Sequence, residues 1–197
     1  MMRVFARLAM LFAAGALLWG CTGNPASEGW ITLLDKGGNG LENFSRVGDA
    51  NWRVEDGALV ADRGGKTSSF LVSRQSYTDF VIHAEFWVNA EANSGVFIRL
   101  SDRQVITAKN SYEVQINDKH PEWPTGTVAY FGKVAKPHNA GGRWNTFEIT
   151  ARGPRLTVKM NGVETTQVND RSFFHGPFAL QYVSGIVKFR TVQIKPL

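Results

Sequence analysis

Within the stretch Asn110–His120, "NSYEVQINDKH", stand a carboxylate (Glu113), an amide (Gln115), a second carboxylate (Asp118) and an imidazole (His120). A carboxylate or an imidazole can act as general base, and an imidazole can also bind a metal. Tyr112, Val114 and Ile116 alternate with Glu113, Gln115 and Asn117, the period of a strand with one face buried. The polar face of that strand is therefore the place to look for chemistry.

Two further segments offer comparable faces. In Phe80–Val88 an apolar row lies opposite Val81, His83, Glu85 and Trp87; in Gly95–Leu100, Val96, Ile98 and Leu100 lie opposite Phe97 and Arg99. If these strands neighbour one another, at ~4.8 Å spacing, then His83, Glu85, Trp87, Arg99, Glu113 and Gln115 form one patch. Such a patch would suit a sugar, whose hydroxyls need donors and acceptors and whose ring faces stack on aromatics. The competing expectation is a sheet face that is merely wet.

The chain must supply elements to hold these residues. Short segments rich in Val, Ile, Phe, Trp and Thr follow one another with turn residues between them, and helical periodicity is nearly absent after Cys21. About a dozen such segments predict an all-β sandwich or jelly roll. Asp56-Gly57 and Asn161-Gly162 each sit between two runs and predict tight hairpins. The Gly/Pro-rich stretch from Pro121 to Gly142 is a long, weakly patterned loop region, of the kind that carries function.

Other chemistries find little support. The glycine pairs lack the strand-to-helix context of a phosphate-binding loop, and no Gly-x-Ser-x-Gly occurs. The single cysteine excludes an intramolecular disulfide and a cysteine-based zinc site. The four histidines are scattered, and His120, near Asp118 and Glu113, is the best candidate for a divalent metal. Ordinary glycoside hydrolysis needs two carboxylates, about 5–5.5 Å apart for retention or about 6.5–9.5 Å for inversion. The Glu113-Val-Gln115 string has an amide where a second acid is wanted, unless Glu85 or Asp118 supplies it.

Residues 1–20, with Arg3, Arg7 and an apolar run from Leu8 to Trp19, read as a secretory signal. Leu18, Gly20 and Cys21 resemble the lipobox of bacterial lipoproteins. That resemblance implies lipidation at Cys21, a tether over 21–28, and a cell-envelope location on the periplasmic side or at the outer membrane. The remaining 29–197 suffice for one sizeable core. The formal charge of +5 drops to +3 once Arg3 and Arg7 leave, too mild and dispersed for a nucleic-acid partner.

In order along the chain come Trp52–Gly57 "WRVEDG", Ala92–Arg99 "ANSGVFIR", Tyr112–Asp118 "YEVQIND", Thr125-Gly126, Trp144–Ile149 "WNTFEI", Asn161-Gly162 and the closing "VKFR…IKPL". Together they resemble the 3-keto-disaccharide hydrolase family, also described as 3-keto-glucoside 1,2-lyase/hydratase, from about Trp30 to Leu197. The resemblance implies a concanavalin A-like jelly-roll β-sandwich. It also implies abstraction of the C2 proton beside a C3 ketone, then elimination at C1 or hydration, which needs one base and an oxyanion stabiliser. On this chain the implied base is Glu113 or His120, and the stabiliser Arg99, Gln115 or a bound cation. Glu85, Trp87 and Asp118 would grip the substrate. A non-catalytic carbohydrate-binding module and an ordinary glucanase are the alternatives.

Overall fold

The computed structural model describes residues 28–64 and 67–197. The expected signal and Cys21 lie outside the described residues. No helix among the described residues is long and apolar enough to cross a membrane.

Thirteen strands are described: β1 Ile31–Leu34, β2 Phe44–Val47, β3 Arg53–Glu55, β4 Ala58–Ala61, β5 Ser69–Ser73, β6 Phe80–Val88, β7 Ser94–Ile98, β8 Tyr112–Ile116, β9 Trp144–Arg152, β10 Arg155–Met160, β11 Val163–Asn169, β12 Ala179–Tyr182 and β13 Val187–Pro196. One sheet runs β11-β10-β9-β6-β13-β4-β3, with β1 also paired to β13; the other runs β2-β5-β12-β7-β8. All these strand pairs are antiparallel. The two sheets face each other as a sandwich, so the predicted all-β class holds.

The alternation read from the sequence fixes which side chains enter the core. Along β6 every second residue from Phe80 to Val88 is buried. β9 does the same, and Phe86 meets Phe147 at 4.6 Å between ring centroids. From β7 and β8, Val96, Ile98, Tyr112, Val114 and Ile116 join the same core. Burying such a side chain contributes ~1.5–3 kcal/mol, enough to pin the register, because a one-residue slip would expose the entire row. Both predicted hairpins form, between β3 and β4 and between β10 and β11. Asp56 and Gly57 have φ of 50° and 71°, and Asn161 and Gly162 have 51° and 80°. Positive φ at both central residues is what a primed hairpin turn demands.

Two expectations are corrected. β6 does not neighbour β7 and β8. It lies in the large sheet between β9 and β13, while β7 and β8 lie in the small one. The proposed single patch is therefore split: His83, Glu85 and Trp87 stand on one outer face of the sandwich, Glu113 and Gln115 on the other. The alternation of β7 also fails at its end. Arg99 has φ 53°, which ends the strand, and Leu100 turns onto the face shared by Phe97, Phe70, Val72 and Ala179.

The small sheet is covered on its outer face as well, which is why all five residues of β7 and of β8 are buried. One cover includes Ile106 and Ala108, packed against Phe97 and Leu100. The other follows β8 and pairs back on it: Gly126 donates its N–H to the Gln115 carbonyl, Gln115 to that of Thr127, and Ala129 to that of Glu113. The Gly126 carbonyl accepts from the hydroxyls of Thr165 and Thr166 on β11, which ties this segment to the large sheet.

Candidate active site

Between these two covers, over the small sheet, lies a cavity of about 420 Å³, within the usual size of small-molecule sites. Its floor is Glu113 and Gln115 of β8, Phe97 of β7 and Gln181 of β12; Lys109 stands on one wall, and His120, Trp123 and Tyr130 on the other. A larger cavity of about 590 Å³, lined by Ile31, Leu33, Tyr77 and Leu197, offers one acid, Asp79. That carboxylate is already held by Arg99 and the Gly153 N–H, so the smaller cavity is the better chemical candidate.

Glu113 is 8% exposed. Among the described residues nothing donates a hydrogen bond to its carboxylate and no cation pairs with it. Burial alone pushes its pKa up to about 7, since a charge in a poorly solvating site is disfavoured. A group of that kind takes and returns protons near neutrality.

His120 is oriented by the turn that carries it. Its Nδ1 accepts the backbone N–H of Trp123 at 2.8 Å and that of Glu122 at 3.2 Å. In the neutral ring the proton therefore sits on Nε2, leaving an N–H donor. Trp123 and Tyr130 lie 5.5 Å apart at the rim, with Lys133 over the Trp123 ring and Lys109 over the Tyr130 ring from the opposite wall. Tyr130 holds φ 69° and is 57% exposed. A bulky residue in that region costs of order 1–3 kcal/mol and persists where its surroundings impose it.

Gln115 and Gln181 are 5% and 6% exposed, and the side-chain oxygen of each has no hydrogen-bond partner. Leaving such a buried acceptor unsatisfied costs ~1–3 kcal/mol.

Of the residues singled out from sequence, Glu113, Gln115 and His120 meet in this cavity. The other five, His83, Glu85, Trp87, Arg99 and Asp118, do not line it. Arg99 is fully buried elsewhere: its guanidinium donates to the carbonyls of Thr78, Gly153 and Phe173 and to the Asp79 carboxylate. It has no donor left for an enolate, which corrects its expected role. Asp118 accepts from the Thr125 hydroxyl and from the N–H groups of Ala140 and Gly141, so it fastens loops and does not grip substrate. Glu85 is bound to Arg190 at 2.6 Å, and Trp87 lies under Lys188, both on the outer face of the large sheet.

Sequence reading missed Gln181, Lys109, Trp123 and Tyr130. Gln181 had a signal: in "FALQYV" it is the one polar side chain between apolar Leu180 and Tyr182, the same pattern as Gln115. The wall residues lie on loops, where no period points them anywhere.

Glu113 and His120 were also the best candidates for metal ligands. Among the described residues no group of three or more His, Cys, Asp or Glu converges that could hold a metal ion. With Nδ1 accepting two backbone N–H groups, the neutral His120 carries its proton on Nε2 and presents no lone pair to a metal. This donor set does not fit a divalent ion.

Solved structures share the fold. Two candidate glycosyl hydrolases from Parabacteroides distasonis ATCC 8503 superpose with TM-scores of 0.72 and 0.71 at 20% and 23% identity, over 87% and 85% of this chain and 96% and 99% of theirs. The carbohydrate binding module CBM66 from Bacillus subtilis has a TM-score of 0.61 at 18% identity, over 85% of this chain and 95% of its own. At these identities the likeness establishes the fold, a sandwich of the concanavalin-like, lectin-like kind. No curated protein matches the sequence. The family model of the 3-keto-alpha-glucoside-1,2-lyase-like domain does match, over residues 29–195, and the chain belongs to that family.

Proposed function

We propose that this protein cleaves 3-keto-glycosides by removing the C2 proton, with Glu113 as the base and His120 as the group that stabilises the enolate. The observation that carries this reading is the lone, desolvated Glu113, whose pKa of about 7 matches proton abstraction near neutral pH. Among the described residues no second carboxylate lines its cavity, which an ordinary two-acid glycosidase would require.

In the proposed sequence the ionised Glu113 takes the C2 proton. The C–H electron pair forms the C2–C3 double bond and the C3 oxygen becomes the enolate oxygen. The His120 Nε2–H donates to that oxygen, which lowers the barrier without a full proton transfer. When the C3 carbonyl re-forms, the electron pair moves to make the C1–C2 double bond and the C1–O bond breaks. The departing oxygen takes a proton from Glu113 or from water. Addition of water across C1–C2, hydroxyl to C1 and proton to C2, would complete a net hydrolysis. Trp123 and Tyr130 supply ring faces for the sugar or the group leaving it.

Replacing Glu113 by Gln keeps the shape and removes the base. With a methyl 3-keto-glucoside, Glu113→Gln should lose roughly 100- to 10,000-fold in kcat. Wild-type kcat/KM should rise with pH through about 7 as the carboxylate ionises. Unchanged turnover in Glu113→Gln would remove Glu113 from the reaction. Cleavage of unoxidised glucan by the wild type would favour a glucanase instead, and binding of the ketone without turnover a carbohydrate-binding module.

A further inference from the structure

The floor of the cavity contains a gap at Gly95. In the small sheet Gly95 pairs with Gln115 on β8. On its other side Val96 pairs with Leu180 of β12, so the antiparallel register sets Gln181 beside Gly95. A row Gln181–Gly95–Gln115 thus crosses three strands, and Phe97, two residues along β7, lines the same cavity. The flanking strands of such a row stand roughly 9–10 Å apart, and only the central one carries no side chain.

The backbone angles at this position do not demand a glycine, although the Val114 carbonyl comes close. Gly95 is not among the residues with positive φ, and glycine inside a strand is destabilising unless a ligand or another backbone approaches closely. A Cβ at this position would stand 3.2 Å from Glu113 Oε1, 3.2 Å from the Val114 carbonyl and 3.4 Å from Gln181 Oε1. The space above Gly95 is therefore ringed by oxygen acceptors, and both glutamines facing it are buried with their side-chain oxygens unpartnered. Those oxygens ask for donors, and the gap is where a donor-bearing group can reach them.

Building on the proposed reaction, we infer that Gly95 is a specificity-determining residue: its missing side chain opens a slot that receives one edge of the sugar ring, with hydroxyl groups donating to Gln115 and Gln181. The ligand class is a pyranoside whose inserted edge bears free hydroxyls and nothing bulkier. A site built around such acceptors discriminates strongly against analogues lacking the hydroxyl, because the amide oxygens then remain buried and unpaired.

The test uses the mature protein, with methyl glucoside titrated by calorimetry and methyl 3-keto-glucoside assayed for turnover. Gly95→Ala, whose methyl would stand 3.2 Å from the Val114 carbonyl and from Glu113, should melt somewhat below the wild type yet fold, weaken methyl glucoside binding at least tenfold and raise KM for the ketone more than it lowers kcat. Gln181→Leu removes an acceptor without narrowing the slot; it should weaken binding similarly without lowering the melting temperature, and it decides the matter if Gly95→Ala folds poorly. Wild-type binding and KM in both variants would overturn the slot, as would a wild type that neither binds nor turns over these sugars. Binding that is lost in the variants, from a wild type without turnover, would uphold the slot and sink the lyase reaction.

Discussion

Above neutral pH the folded protein holds the Glu113 charge beside Phe97 and two amide side chains, a poor substitute for water. Burial raises this carboxyl from 4.5 to about 7, whereas in the unfolded chain it ionises near its ordinary value. Between those two pH values the unfolded state loses its proton first, so the stability present below about 4.5 declines as pH rises to about 7. Glu113→Gln escapes that decline. Its stability advantage over the wild type should grow by on the order of 3 kcal/mol between pH 4.5 and 8, read as a widening gap in urea midpoints. A gap that stays constant with pH would mean that the carboxylate is well solvated. At this scale the sequence was half legible. Alternation put Glu113 and Gln115 on one face, and the same rule would have found Gln181. The tautomer of His120 depends on a tight turn through Trp123, which no period encodes.

Among the elements, the end of β7 shows where pattern reading stops working. Counting in twos places Arg99 on the face of Phe97, but its left-handed φ of 53° swings the side chain into a buried cage of carbonyls. Those carbonyls come from segments 21 to 74 residues away, so no local window could reveal them. The guanidinium fork links the loop before β6 to the β9–β10 turn and to the loop that holds Phe173. Arg99→Met should therefore destabilise the fold by about 2–4 kcal/mol, because the cage carbonyls lose their donor at ~1–3 kcal/mol for each buried group left unpaired, while the partly exposed Asp79 is left to water. Chemical denaturation measures this, and a loss below about 1 kcal/mol would contradict the cage as a stabilising element. Strand identity was legible because each strand is a local pattern. Strand partnership was not, since β6 finds its neighbours among β9 and β13, far along the chain.

Taken whole, the molecule has two outer sheet faces of different character. On the large sheet Trp87 pairs across strands with Trp144, the Arg190 guanidinium sits 3.9 Å over the Trp144 ring, and Arg190 also binds Glu85. Charge and aromatics there satisfy one another, which accounts for the residues that sequence reading assigned to a sugar. Trp87→Ala should leave kcat/KM within about twofold of wild type, surface changes of this sort costing little; a tenfold loss in the turnover assay would put the site on the wrong face. The cavity on the small sheet depends instead on the segment 126–129, whose backbone bonds run along the free side of β8. Unpaired strand edges invite addition of a strand from another chain. Shortening this segment to admit larger ligands would bare such an edge, so the breadth of ligands the cavity can accept is coupled to the protein's resistance to aggregation.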